Sequence, residues 1–293
     1  MKRRTFLILL SLSLGTIGMA KYFSQASNTK SKRSKVRMLN MNPATDLISV
    51  LQDKYSFQYK MPYKGIQTVR TSVHQIGELV LTSGRIIACD PFLNPDLRYY
   101  FTKTVKPGKY PVIVSVADFQ PFGSTRFACA MLCISKQPTV KWEIAIVNEQ
   151  QPRQEEGEMY GYGVDSGTGS FMDFDAAQAL SDLDNPDPVA YKAARKIGSE
   201  QAWNLTMAAS DRFKLEFCDQ AIAQMEKNQF GKHPLIASWA DIQISKKILV
   251  NVITFSSGWG DGGYASYWGY DATEKITSLV TDFGLFSDDS SED

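Results

Sequence analysis

The sequence predicts an α+β fold with a largely antiparallel β-sheet, its helices inserted between the central and the C-terminal strands. Three observations carry this expectation. Short β-branched or apolar runs bounded by Gly, Pro or Lys fill the stretch from Glu78 to Val147. Apolar residues at helical spacing follow, and strand-like runs return at Asn251 to Phe255 and Ile276 to Asp282. Strands, then helices, then strands is the chain order of an α+β domain.

In chain order, Asn42-Pro43 supplies a helix cap and a first-turn proline, after which Leu47, Leu51 and Tyr55 recur at helical spacing. Glu78 to Leu81 and Arg85 to Cys89 flank Ser83-Gly84 in the manner of a hairpin. Tyr110 to Asp118, Phe127 to Ser135 and Lys141 to Val147 then complete a central β meander, and the polar stretch Asn148 to Glu158 reads as a long surface loop. Asp173 opens a helical segment with Ala176, Ala177, Leu180 and Leu183. Asp187-Pro188 opens another with Tyr191, Ala194, Gly198, Ala202 and Leu205 on one face, and a further helix carries Leu215, Cys218, Ile222 and Met225.

The start of the chain reads as an export signal: Lys2-Arg3-Arg4 precedes an apolar run from Phe6 to Met19 that closes on Gly18-Met19-Ala20. Arg3-Arg4-Thr5-Phe6-Leu7 also fits the twin-arginine pattern. The run is shorter than the roughly 17 to 25 apolar residues needed to span a bilayer. Residues 1–20 are therefore expected to be a signal peptide, 21–41 a basic flexible linker, 42–286 a single α+β domain and 287–293 an acidic tail. The protein would then work in the periplasm or outside the cell, meeting membrane only through the signal or the basic leader. Its formal net charge of +1, falling to −2 when Lys2, Arg3 and Arg4 leave, argues against a nucleic-acid binder.

Cys89, Cys129, Cys133 and Cys218 are even in number, and an oxidising compartment permits bridges. On a strand, Cys129 and Cys133 would share a face about 13 Å apart, too far for a disulfide. Either could meet Cys89 or Cys218, but four small hydrophobes is the preferred reading.

Four ordered motifs are recognisable: Ser83-Gly84-Arg85-Ile86-Ile87-Ala88-Cys89-Asp90-Pro91, Gly161 through Asp173, Ser256 through Asp271, and Val280-Thr281-Asp282-Phe283-Gly284. Together they make the chain, from Val73 to Phe286, resemble the bacterial domain of unknown function 4241 family. The resemblance implies no activity, cofactor or catalytic residue.

The residues themselves point to a location. Ser256-Ser257-Gly258-Trp259-Gly260-Asp261-Gly262-Gly263-Tyr264 packs glycines, aromatics and an acid together, as a polar pocket requires. Asp165-Ser166-Gly167-Thr168-Gly169 is similar to the first phosphate loop of actin-like ATPases, but no strand triplet follows it, so Gly turns and an Asp173 or Asp175 helix cap are the commoner outcome. Candidate ligand-binding residues are Asp165, Asp173, Ser257, Trp259, Asp261, Trp268 and Asp282, with Asp165 and Asp261 the candidate ligands of a divalent cation. Of the aromatics, Trp259 stands alone between glycines, whereas Tyr264, Tyr267, Trp268 and Tyr270 alternate as they would on a packed sheet face. His74, His233, Ser256 and Ser257 lie in no recognisable nucleophile pattern. The expected function is an exported protein whose Gly/Trp/Asp pocket binds a small polar ligand, with a divalent cation as an optional cofactor. The alternatives are a metal-assisted or carboxylate-dependent hydrolase acting on an extracytoplasmic substrate, and a protein-interaction domain.

Overall fold

A computed structural model describes residues 51, 53–61, 64–93, 95–148, 161–184, 216–231, 237–244 and 249–286. The expected signal peptide, linker and acidic tail, the cap at Asn42-Pro43 and the helix from Asp187 to Leu205 lie outside them, as does all but the first residue of the Asn148 to Glu158 loop. The described residues form mostly antiparallel β-sheet, as expected, with two helices.

A seven-stranded sheet runs in the order β1 (Ser56–Met61), β2 (Gly65–Leu81), β4 (Gly108–Gln120), β5 (Ser124–Cys133), β13 (Ile276–Asp282), β12 (Ser266–Tyr270) and β6 (Lys141–Ile144). A four-stranded sheet runs β3 (Ile86–Cys89), β8 (Thr168–Asp173), β10 (Asn251–Ser256) and β9 (Trp239–Gln243). β7 (Tyr162–Val164) and β11 (Gly262–Tyr264) make a two-stranded ribbon. The helices are α1 (Phe174–Asp184) and α2 (216–227).

Side-chain alternation along the strands explains the layers. On β10, Ile253 and Phe255 face the core shared with the seven-stranded sheet, where they meet Leu79, Val114, Phe127 and Leu279. Val252 points the other way, into a second core with Met172 of β8, Ala177 and Leu180 of α1, and Ala221 and Met225 of α2. A third cluster, including Phe119, Cys129, Val280 and Leu285, covers the opposite face of the seven-stranded sheet. The Phe171 and Phe255 rings meet edge to face at 5.1 Å, both fully buried, and each contributes about 1.5–3 kcal/mol through burial.

Asn251, 4% exposed, ties the two sheets together. Its Oδ1 accepts the Val80 N–H at 2.9 Å, while its Nδ2 donates to the Glu78 carbonyl at 2.9 Å and to Asp241 Oδ1 at 2.6 Å.

Two expectations about strand pairing are corrected. Ser83-Gly84 does turn the chain, with Gly84 at φ +76°, but β2 and β3 are not a hairpin: they belong to different sheets. Along Glu78–Leu81 one edge of β2 is taken by β4, and on the other the Asn251 side chain bonds Val80 and Glu78, while β3 pairs with β8. The corner is locked by the Asp173 carboxylate, which accepts the Ser83 and Gly84 N–H groups and the Thr82 and Ser83 hydroxyls. Only glycine fits, since a Cβ at position 84 would lie 2.1 Å from the Val105 carbonyl oxygen. The meander likewise stops at β5: β6 pairs with β12 at the far edge, with β13 and β12 lying between them.

Thr168–Asp173, read as a Gly turn running into a cap, is an entirely buried central strand whose last residue is the cap. Asp173 Oδ1 accepts the Asp175 N–H at 2.9 Å, the bond expected of a helix N-cap. All four cysteines are free thiols. Burial pushes the Cys89 thiol up to about 12 and that of Cys133 to about 11, and raises Cys129 as well, so these three are not ready nucleophiles at neutral pH.

Candidate functional site

The two glycine-rich motifs meet at one end of the four-stranded sheet. β10 runs antiparallel to β8 with Ser256 opposite Thr168, and β11 runs antiparallel to β7 with Gly262 opposite Val164. The connections 165–167 and 257–261 are therefore forced side by side, and the Ser257 N–H donates to the Gly167 carbonyl at 3.0 Å.

Each loop is held from beneath. Asp90, 2% exposed, accepts the Asp165 N–H at 3.0 Å, the Ser166 N–H and hydroxyl each at 2.8 Å, and the Phe92 N–H at 3.0 Å. In the facing loop, the Ser257 hydroxyl donates to the Gly260 carbonyl at 2.8 Å. The Tyr264 hydroxyl donates to the same carbonyl at 2.6 Å and lies 3.2 Å from that of Ser257. Gly258 takes φ +45°, and a Cβ there would come within 2.7 Å of Phe283 Cβ.

Between the loops lies a cavity of about 320 Å³, bordered by Ser166, Gly167, Thr168, Ser257, Gly258 and, from β5, Arg126. Arg126 is half-buried, and burial pulls its pKa down from the ordinary arginine value, though a guanidinium stays charged at neutral pH. Its Nε donates to Ser124 Oγ at 3.2 Å and its Nη1 to the Gly258 carbonyl at 3.5 Å, the limit of a hydrogen bond. Trp259, 41% exposed, lies beneath it, ring centre 5.0 Å from the guanidinium carbon, and packs against Phe119 at 5.5 Å. No carboxylate comes within ion-pair distance of Arg126 among the described residues.

The hydroxyl protons around the cavity are already committed: that of Ser166 to Asp90, that of Ser257 to Gly260, and that of Thr168 to the Ser166 carbonyl at 3.5 Å. The remaining guanidinium N–H groups are thus its main unengaged side-chain donors.

The expected site residues divide. Ser257 borders the cavity, Trp259 sits under its arginine, and Asp165 and Asp261 are exposed on the two facing loops. Asp173 caps α1 at the other end of β8, roughly 20 Å of strand away from Asp165. Trp268 is fully buried in the core, edge to face with Phe101 at 5.9 Å. Asp282 stands opposite Cys129 in the seven-stranded sheet and accepts the Gly284 N–H at 2.9 Å. Among the described residues no three His, Cys, Asp or Glu side chains gather as a metal site would require. His74 bonds Ser72 Oγ at 2.9 Å and packs on Phe230 at 4.5 Å, while His233 lies outside the described residues.

Arg126 is the residue that the sequence reading missed. Its signal was weak: a single cation just ahead of the apolar run from Phe127, where a polar strand end is ordinary.

A second cavity of about 250 Å³, bordered by Ile87, Leu93, Tyr99, Phe101 and Tyr162, also touches Asp90. It is mainly apolar and offers no free charge, since Asp90 already has its four donors and Asp96 is paired with Arg98 at 2.6 Å.

A family model described as Protein of unknown function (DUF4241) matches residues 79–281, a span containing both loops, Arg126 and Asp90. No curated protein and no solved structure matches the chain.

Proposed function

We propose that this chain, which belongs to the DUF4241 family and takes no activity from that membership, is a binding protein for a small anionic ligand held between its two glycine loops. The observation that carries the proposal is Arg126: a half-buried cation with no carboxylate partner among the described residues, at the wall of a cavity of about 320 Å³. Removing a charge from water without pairing it is costly, and an anion in the cavity would relieve that cost. Cavities of this size suit small organic ligands. The export signal read at residues 1–20 would put the site outside the cytoplasm, where such a protein would capture or sense a solute.

Calorimetric titration of the purified full chain with acetate, hexanoate and inorganic phosphate, at constant ionic strength, tests this reading. Saturable binding that vanishes in Arg126→Met and partly survives in Arg126→Lys is the expected result. Binding that is unchanged in a folded Arg126→Met protein would remove the anion from the cavity, and no saturable binding of any of the three would remove the proposal.

A further inference from the structure

We infer that the ligand is an organic monocarboxylate with an apolar body, an assignment that rests on the anion reading above. The apolar part of the cavity lining is formed by Phe92, Ile222 and Met225. Phe92 packs on Phe217 at 6.3 Å, and Met225, 3% exposed, is anchored in the core beneath α2, so this wall is fixed and apolar. Ile222 is partly exposed on the same helix. An inorganic anion would occupy the arginine end alone and leave these side chains facing water.

The polar end limits the charge. Among the described residues Arg126 is the only cation bordering the cavity, and the nearby hydroxyl protons are engaged elsewhere. One guanidinium matches one carboxylate in charge and in its planar fork. A phosphate dianion would keep a second charge unmatched in a half-buried site. The head group is therefore a carboxylate at Arg126, and the tail runs toward Ile222 and Phe92.

The full chain is titrated calorimetrically with acetate, butyrate, hexanoate, benzoate and inorganic phosphate. Affinity should rise about fourfold for each methylene buried between acetate and hexanoate, from the usual ~0.8 kcal/mol per CH₂. Phosphate should bind more weakly than hexanoate. Ile222→Ser, at a partly exposed position, should flatten the chain-length series by lowering hexanoate affinity more than acetate affinity, and Phe92→Ala should do the same. A flat series in the wild-type chain, phosphate binding tighter than hexanoate, or a slope indifferent to both substitutions would overturn the carboxylate assignment and leave an anion site in place. Failure of every probe would remove both readings together.

Discussion

Arg126 stands over the ring of Trp259 with its guanidinium carbon 5.0 Å from the ring centre, although the two residues are separated by most of the domain's sequence. The ring supports the cation electrostatically on one side, and the Gly258 carbonyl receives Nη1 on another. That leaves the guanidinium oriented but not neutralised. Such contacts are worth about 0.5–1 kcal/mol when partly exposed. Trp259→Ala should therefore weaken anion binding by about two- to fivefold and lower stability by no more than about 1 kcal/mol, whereas Trp259→Phe should keep most of both. Calorimetry beside urea denaturation separates the two effects. An affinity equal to wild type in Trp259→Ala would mean that the ring does not orient Arg126.

Asp90 holds the polar loop through Asp165 and Ser166 and the apolar wall through the Phe92 N–H. Asp90→Ala leaves these donors without their acceptor. Part of the loss is recoverable, because Asp165 and Ser166 are exposed and water can reach them. A stability loss of about 1–3 kcal/mol is expected. Anion affinity should fall at least tenfold in the protein that remains folded, since both walls of the cavity lose their anchor. Binding constants that match wild type would show that the loop keeps its shape without the carboxylate.

Asp173 provides the contrast. Its fully buried carboxylate accepts from Thr82, Ser83, Gly84 and Asp175, at the opposite end of β8 from the cavity. Asp173→Ala should cost about 3 kcal/mol or more, because several donors, the buried Gly84 N–H among them, lose one acceptor and α1 loses its cap. The affinity of the folded fraction should stay at the wild-type value. Guanidinium denaturation followed by titration at a temperature where the variant is folded gives both numbers, and a large loss of affinity would tie Asp173 to the site after all.

These contrasts show what was legible in the sequence. The β-branched runs of β4, β5, β10 and β13 and the helical spacing of Cys218, Ile222 and Met225 on α2 follow from periodicity, which burial enforces. Strand partners do not follow from it. Ser83-Gly84 has the composition of a hairpin turn whether the next strand pairs backward or crosses to another sheet, and here Asp173, 89 residues beyond Gly84, closes the corner. β8 was hidden because Gly167 and Gly169 mask a buried strand behind turn-like composition. Trp259 and Trp268 lie on the same stretch of chain, yet one is exposed at the loop and the other is sealed on Phe101, a difference that depends on which sheet face each meets. Arg126 gains its meaning only when two loops distant in sequence arrive beside it.

A half-buried acid outside the cavity, Asp241, gives a pH signature of opposite sign to the usual one. Burial raises the Asp241 pKa above the ordinary aspartate value, the hydrogen bond from Asn251 Nδ2 pulls it partly back, and Glu78 adds to the rise. An acid whose folded pKa lies above its unfolded value of about 3.9 binds its proton more tightly in the native state. Its stabilising contribution is thus complete below that unfolded value and is lost as pH rises through the folded one. At pH 7 the native state carries a partly desolvated charge beside the bridge between the sheets. Asp241→Asn removes that charge, and its Oδ1 can still accept from Asn251. The variant should melt higher than wild type at pH 7, and the gap should narrow as pH falls through the raised value and toward 3.9. Thermal melts of both proteins between pH 3.5 and 7.5 measure the gap directly, and a gap that widened on acidification would mean that the ionised form of Asp241 stabilises the fold.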